Sequence, residues 1–304
     1  MNTTRHRRFR NILCPVDFST DARTALRFAA AVAQRGGGHV TVLFVNDPLL
    51  VAAAAVAYDE RVLAETTESE LRRFVESGVG PTRATTVKTL VAFGDPAREI
   101  DKAAHRLRCD LVVLGFRGLG RAGKLFFGST AERVLRHAKV PTLVVPRAAG
   151  RRGAPARSWP TRLLAAVVLG THAAADVRAA TSVAQWFKSH MLLVTVVAPA
   201  QTPSWLRLRA SDRDRARVVA ARTTLRALAA RTGGKALAVR VLVGDPADQI
   251  ASTATDTRAG LIVVRLRPSD RLLGARQGSV TYRVLSRAAM PVLALTEHPP
   301  AVRH

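Results

Sequence analysis

The sequence predicts an α/β protein of two tandem doubly wound domains, each an open five-stranded parallel sheet of order 3-2-1-4-5 flanked by helices. Three observations carry that prediction. First, a chain of 304 residues is long enough for two ordinary cores. Second, it is one unit written twice. VAFGDPAREI at 91–100 returns as VLVGDPADQI at 241–250, and CDLVVLG at 109–115 returns as AGLIVVR at 259–265, both displaced by 150 positions. HVTVLFVNDP from His39 likewise matches HMLLVTVVAP from His190, and GSTAERVLRHAKVPTLVV from Gly128 matches GSVTYRVLSRAAMPVLAL from Gly278. Third, short Val- and Leu-rich runs alternate with amphipathic stretches of helix length.

In the first unit the apolar runs predict strands near 10–16, 39–45, 84–92, 110–115 and 141–146. Helical patterns fall near 20–35, 59–78, 95–107 and 129–138. Continuously apolar strands such as LVVLG suit a sheet covered on both faces. The βαβα alternation gives parallel strands with right-handed crossovers. Sheets of this kind take ligands beyond the carboxyl ends of their strands, where strand order reverses. The expected organisation is a first domain at 1–147, a linker at 148–160 rich in Arg, Gly, Pro and Ala, and a second domain at 161–304.

Composition narrows the function classes. No apolar run reaches membrane-span length, and Met1–Arg10 has charges but no apolar signal region. Cys14 and Cys109 lie in apolar surroundings without metal-ligand spacing, which points to reduced, buried thiols and a cytoplasmic location. The eight histidines are scattered, so no metal site is assigned. The net charge of +25, of which +9 falls in 1–150 and +16 in 151–304, raises the question of nucleic acid. However, 41 of the 47 basic residues are Arg, a skew that GC-rich codon usage produces without a selected partner. They are also dispersed, without interleaved aromatics for stacking bases. That argues for a solvated cationic surface and against a specific nucleic-acid partner, leaving weak polyanion attraction at low salt.

The glycine-rich stretch GFRGLGRAGKLFFGST at 115–130 follows the fourth strand and so lies on the ligand-binding rim. Three motifs overlap in it. Gly118-Leu-Gly-Arg-Ala-Gly123 spells GxGxxG, but a dinucleotide fingerprint belongs after the first strand and needs an acidic residue about 20 positions on. Gly118 to Lys124 spells most of a P-loop, but Leu125 stands where a Mg²⁺-holding Ser or Thr is required. The third spacing is Gly115, Gly118 and, nine residues further, Gly128-Ser129-Thr130. Here glycines admit phosphate oxygens close to backbone N–H groups, and a helix N-terminus favours an anion. Arg117, Arg121 and Lys124 add positive charge. The competing reading is turns plus an N-cap, since Ser129 and Glu132 match the S-x-x-E capping box. Asp17, in CPVDFST at the end of the first strand, tips the balance. With strands one and four adjacent, it faces the Gly115 loop, ready to accept hydrogen bonds from a ribose or base. Taken alone, Asp17 is explained by a turn before the helix at Ser19.

With strand-Pro-Val-Asp at its start and G-x2-G-x9-G-S near its end, each half resembles a universal stress protein domain over nearly its full length. The glycine pattern at Gly115, Gly118, Gly128 and Ser129 matches that family's ATP-binding motif without a gap. The resemblance implies a bound ATP or ADP, with or without Mg²⁺. It puts Pro15, Val16 and Asp17 at the adenosine end, Val45 beside adenine through its backbone, and Leu114, Gly115, Gly118, Gly128, Ser129 and Thr130 around ribose and phosphates, with Arg117 among them. It also implies a homodimer or an intrachain pseudo-dimer, an unidentified protein partner, and a regulatory role in stress response. No catalytic residue is identified, so at most slow ATP hydrolysis is expected. The alternative is a nucleotide-independent dimerisation scaffold. The second half departs from the pattern: Arg265 stands for Gly115, Pro268 for Gly118, and Leu169 or Gly170 for Asp17. Nucleotide is therefore expected in the first domain only, unless Arg265 or Arg267 makes a different anion site.

Overall fold

A computed structural model describes residues 9–47, 60–79, 86–116, 128–151, 159–199, 210–231, 237–267 and 279–296. In the first half the strands are β1 (Asn11–Val16), β2 (His39–Asn46), β3 (Thr86–Phe93), β4 (Leu111–Gly115) and β5 (Thr142–Val145). The helices are α1 (Thr20–Gly36), α2 (Glu60–Val79), α3 (Pro96–Arg106), α4 (Ser129–His137) and the short α5 (Arg147–Gly150). The second half repeats them as β6 (Arg162–Ala166), β7 (His190–Val197), β8 (Ala238–Val243), β9 (Leu261–Arg265) and β10 (Val292–Leu295). Its helices are α6 (Ala173–Phe187), α7 (Ala210–Arg231), α8 (Pro246–Asp256) and α9 (Val280–Arg287).

All ten strands form one sheet in the order β3-β2-β1-β4-β5-β10-β9-β6-β7-β8. Within each half every pairing is parallel, and the halves meet where β5 runs antiparallel to β10 through Leu143↔Leu293. Alternation along each strand divides the core in two. Leu111 and Val113 of β4 face one layer with α1, α2, α5, α6 and α7, whereas Val112 and Leu114 face the other with α3, α4, α8 and α9. Strands apolar on both faces are thereby accounted for. Aromatic packing ties the halves on the first face. Phe9 meets Trp186 edge-on at 5.1 Å, Phe28 meets Trp159 at 5.0 Å, and Trp159 meets Phe187 at 5.4 Å. The Arg35 guanidinium donates to the carbonyls of Trp186 and Phe187. The ends of the expected linker are thus ordered parts of the core: Ala149 is buried in α5, and Trp159 is packed between the halves.

The repeated Gly-Asp-Pro has a local cause. Gly94 and Gly244 both sit at φ +139, a backbone conformation that L side chains rarely adopt. The next residue caps a helix: Asp95 accepts from the Arg98 N–H, and Asp245 from those of Ala247 and Asp248. Pro96 and Pro246 occupy the first helical position, where no donor is missed. Asp95 also takes a bidentate pair from Arg133 of α4, at 2.7 and 2.8 Å, and Asp245 pairs with Arg283 of α9.

Candidate nucleotide site

The first half's strand order reverses at β1, which has β2 on one side and β4 on the other. The ladder between β1 and β4 runs through Ile12↔Leu111 and Leu13↔Val112. Two residues later stands Pro15, which has no N–H to offer. On the other side β1 stays paired with β2 to Val16↔Phe44. A crevice at the switch point is where such a sheet can receive a ligand.

The structure brings most of the sequence-predicted residues to this carboxyl edge. Pro15 and Val16 are buried at the end of β1, with Asp17 half-buried just beyond. Val45 lies one residue past the last β1–β2 pair, level with Asp17. Leu114 and Gly115 end β4. Gly128, Ser129 and Thr130 open α4, and the Gly128 N–H donates to the Phe116 carbonyl at 3.1 Å, which brings the start of α4 to the end of β4. Arg117, Gly118, Arg121 and Lys124 lie outside the described residues, as does Pro268 of the second half.

Asp17 adopts the turn that competes with a ligand role. Its Oδ1 accepts from the Ser19 N–H at 3.1 Å, and Ser19 in turn caps α1 by accepting from the Ala22 N–H at 3.1 Å. Between them Phe18 is left-handed at φ +62, unusual for a bulky residue. Its ring lies 4.5 Å from that of Phe44 and 5.5 Å from that of Phe74, a cluster that holds the turn in place.

Two readings need correction, and the glycine at 115 gains a packing reason. Ser129 does not cap α4: the N-cap is Gly128, which makes no side-chain cap bond, and Glu132 pairs with Arg136 at 2.9 Å instead of completing a capping box. A helix opened by glycine presents its first N–H groups without a competing side-chain oxygen from the cap. Gly115 is needed for packing. A Cβ there would stand 2.9 Å from the Asp21 carbonyl carbon, 3.0 Å from its oxygen and 3.1 Å from the Ala22 nitrogen. The first turn of α1 therefore rests directly on the end of β4. The counterpart of Asp17 is Val168, not Leu169 or Gly170. Ile12 and Leu163 hold the same register position against β4 and β9, and counting forward from them aligns Asp17 with Val168, which is 57% exposed.

The second rim is filled differently. Arg265 replaces Gly115, and α6 starts at Ala173, whereas the register places the counterpart of Thr20 at Thr171. The helix proper thus begins two residues later on the second rim. Asp176 of α6, almost wholly buried, faces Arg265 at 3.4 Å and Arg267 at 3.3 Å. Burial pushes the Asp176 carboxyl up, against the pull of the two guanidiniums. Sequence reasoning missed this carboxylate because its first-half counterpart, Ala25, carries no charge to compare.

Elsewhere, Cys14 and Cys109 are buried free thiols, and burial pushes both pKa values up, that of Cys109 to about 12. Among the described residues no helix is long and apolar enough to cross a membrane.

The model of the universal stress protein family matches residues 8–146 and 161–296. A universal stress protein of Thermus aquaticus is 31% identical over 137 residues, covering 45% of this chain and 98% of that protein. One from Mycolicibacterium smegmatis is 32% identical over 141 residues, 44% of this chain and 47% of its own length. Among solved structures, a universal stress protein from Archaeoglobus fulgidus shares the fold with a TM-score of 0.64 at 19% identity, covering 95% of this chain and 98% of that one.

Proposed function

The chain belongs to the universal stress protein family, and from that premise we propose that it binds one adenine nucleotide, ATP or ADP, in its first half and serves a regulatory role in stress response. Asp17 and the backbone of Val45 would meet the nucleoside, with Pro15, Val16 and Leu114 forming the crevice wall. The N–H groups of Gly128, Ser129 and Thr130 would meet phosphate, joined by Gly115, Gly118 and Arg117. One observation carries the reading: an α4 N-terminus capped by glycine stands beside the crevice where β1 and β4 part. Such a terminus favours negative charge through its backbone donors. Mg²⁺ accompanying the nucleotide would offset phosphate charge, and no protein ligand set for it is assigned. No group is assigned as base or as orienter of an attacking water, so binding without rapid turnover is the activity proposed.

Calorimetric titration of the full chain with ATP tests this, alongside mass spectrometry of small molecules released on denaturing freshly purified protein. The expected stoichiometry is one per chain. Absence of binding heat together with absence of carried nucleotide would refute the reading. The continuous β5–β10 junction favours a second reading, a scaffold that joins two units within one chain and needs no nucleotide. Binding heat that disappears in Asp17→Asn, which keeps the Ser19 acceptor but loses the charge, would exclude that scaffold-only reading.

A further inference from the structure

Four non-glycine residues among those described are left-handed: Phe18 at φ +62, Arg108 at +50, Lys188 at +52 and Arg258 at +53. The duplication explains three of them. Arg108 and Arg258 are equivalent positions just past α3 and α8. Lys188 ends α6 where Gly37, at φ +60, ends α1. Each of these turns recurs in both halves and belongs to the end of a helix. Phe18 has no such twin. Leu169 holds its place in the second half and is not left-handed. There the chain turns one residue on, at Gly170, where φ is +155 and no Cβ resists it. A left-handed backbone at a bulky residue is unfavourable and persists only where the surroundings enforce it.

The enforcement comes from outside the turn. The Phe18 ring lies 4.5 Å from that of Phe44, the last residue of β2 paired with β1, and 5.5 Å from that of Phe74, buried in α2. α2 is in turn held to α1: the Arg23 guanidinium lies 4.6 Å over the Phe74 ring and donates to the Ser77 hydroxyl. In the second half Leu169 replaces Phe18, and Thr195 falls at the register position of Phe44. Val168 takes the place of Asp17. Strain, aromatic anchor and carboxylate are present together in one half and absent together from the other.

We infer that Phe18 is a positioning residue for the nucleotide site: its ring, packed against Phe44 and Phe74, holds the left-handed backbone that fixes the Asp17 carboxylate at the crevice. Asp17 Oδ1 accepts from the Ser19 N–H across the Phe18 unit, so the direction of the carboxylate follows from the conformation of Phe18. A nucleoside then meets an acceptor already in place, and less ordering remains to be done on binding. A role in packing alone would need no left-handed backbone, since Leu169 packs against the same core layer without one. The inference rests on the reading that Asp17 meets the nucleoside, and adds what keeps it there.

The test is calorimetric titration with ATP of the full-length wild type, Phe18→Ala and Phe18→Gly, with exchange of the Ser19 amide proton followed by NMR in the free proteins. Phe18→Ala keeps a Cβ that resists the left-handed backbone and removes the ring that overcomes it. Its affinity should fall about tenfold, the worth of one hydrogen bond to a charged group, and its Ser19 amide should exchange faster. Phe18→Gly removes the resistance along with the ring, so it should lose less affinity than Phe18→Ala. Lost packing alone gives the opposite order, since glycine takes away one carbon more. No binding heat from the wild type would overturn the nucleotide reading and this inference together. Wild-type affinity in Phe18→Ala, an affinity in Phe18→Gly as low or lower, or unchanged Ser19 exchange would overturn this inference and leave that reading standing. Circular dichroism checks the fold. If Phe18→Ala does not fold, Phe44→Thr, which copies Thr195, takes its place with the same expected loss.

Discussion

Gly115 offers the sharpest test of how the rim is built. In Gly115→Ala the new Cβ meets the Asp21 carbonyl carbon at 2.9 Å, its oxygen at 3.0 Å and the Ala22 nitrogen at 3.1 Å. These are backbone atoms in the first turn of α1, held by the Ser19 cap and by the Ala22 and Leu26 packing behind it. They cannot swing aside as the tip of a side chain would. Overpacking of this kind costs about 1–3 kcal/mol. Restricting the unfolded chain by one Cβ returns about 0.4–1 kcal/mol. The steric term wins, and a net loss of about 1–2 kcal/mol is expected. Urea unfolding followed by the fluorescence of Trp159 and Trp186, which report on the junction of the halves, reads it as a lower midpoint at unchanged slope. A change smaller than about 0.5 kcal/mol, the ordinary range for surface substitutions, would refute the packing argument. The glycine would then owe its place to the ligand alone.

The remaining predictions address charge. Asp110 joins the starts of β1 and β4: its Oδ2 accepts from the Arg10 and Asn11 N–H groups, and burial raises its pKa to about 6. A carboxyl raised in the folded state binds its proton more tightly there than in the unfolded chain, so this contribution to stability grows as pH falls from about 6 towards 4. The gain is at most about 3 kcal/mol, and Asp110→Asn should flatten that limb of a pH series of urea melts. Asp95 behaves in the opposite sense, because the Arg133 guanidinium and the Arg98 N–H hold its carboxyl below the usual range. Its contribution is present above the ordinary carboxylate pKa and is lost as pH falls through the lowered one. Asp95→Ala should cost about 1 kcal/mol at neutral pH through the lost cap, measured by the same melts. On the second rim, Arg265→Ala leaves Asp176 buried with Arg267 as its remaining ionic partner in the cluster, and a loss of about 2–4 kcal/mol is expected. Adding Asp176→Ala should recover much of that loss, and a strictly additive double variant would deny the coupling.

The alternation of apolar runs and amphipathic stretches was enough to read the α/β class and the tandem duplication, because period and repeat survive in the residues themselves. The family resemblance implied an intrachain pseudo-dimer, but the antiparallel meeting of β5 and β10 was not legible in the strand residues themselves. TLVV and VLAL are short, buried runs whose composition says nothing about which neighbour or direction they choose. The S-x-x-E pattern at Ser129 and Glu132, offered as the competing reading, does not form a cap, because a capping box is a local pattern and the actual boundary depends on where Gly128 turns to donate to Phe116. The Asp17 counterpart was misplaced because sequence matching between 17–20 and 168–171 has almost no identities to hold it. Only the ladder positions of Ile12 and Leu163 fix it.

The two rims also show why a glycine motif cannot be judged one residue at a time. Replacing Gly115 by the second half's arginine looks from the sequence like removal of a ligand contact. In the folded chain the same change also drives a Cβ against the first turn of α1, and in the second half, where the helix begins two residues later, the guanidinium has a carboxylate beside it, that of Asp176. Each change alone is costly: a Cβ driven into backbone, a helix turn given up, or a buried acid without a cation. Together, Arg265, Arg267 and Asp176 make an ion cluster at the end of β9. A single reversal, Arg265→Gly, would leave Asp176 buried against Arg267 without its second guanidinium, and the expected outcome is a loss of stability in the urea melts.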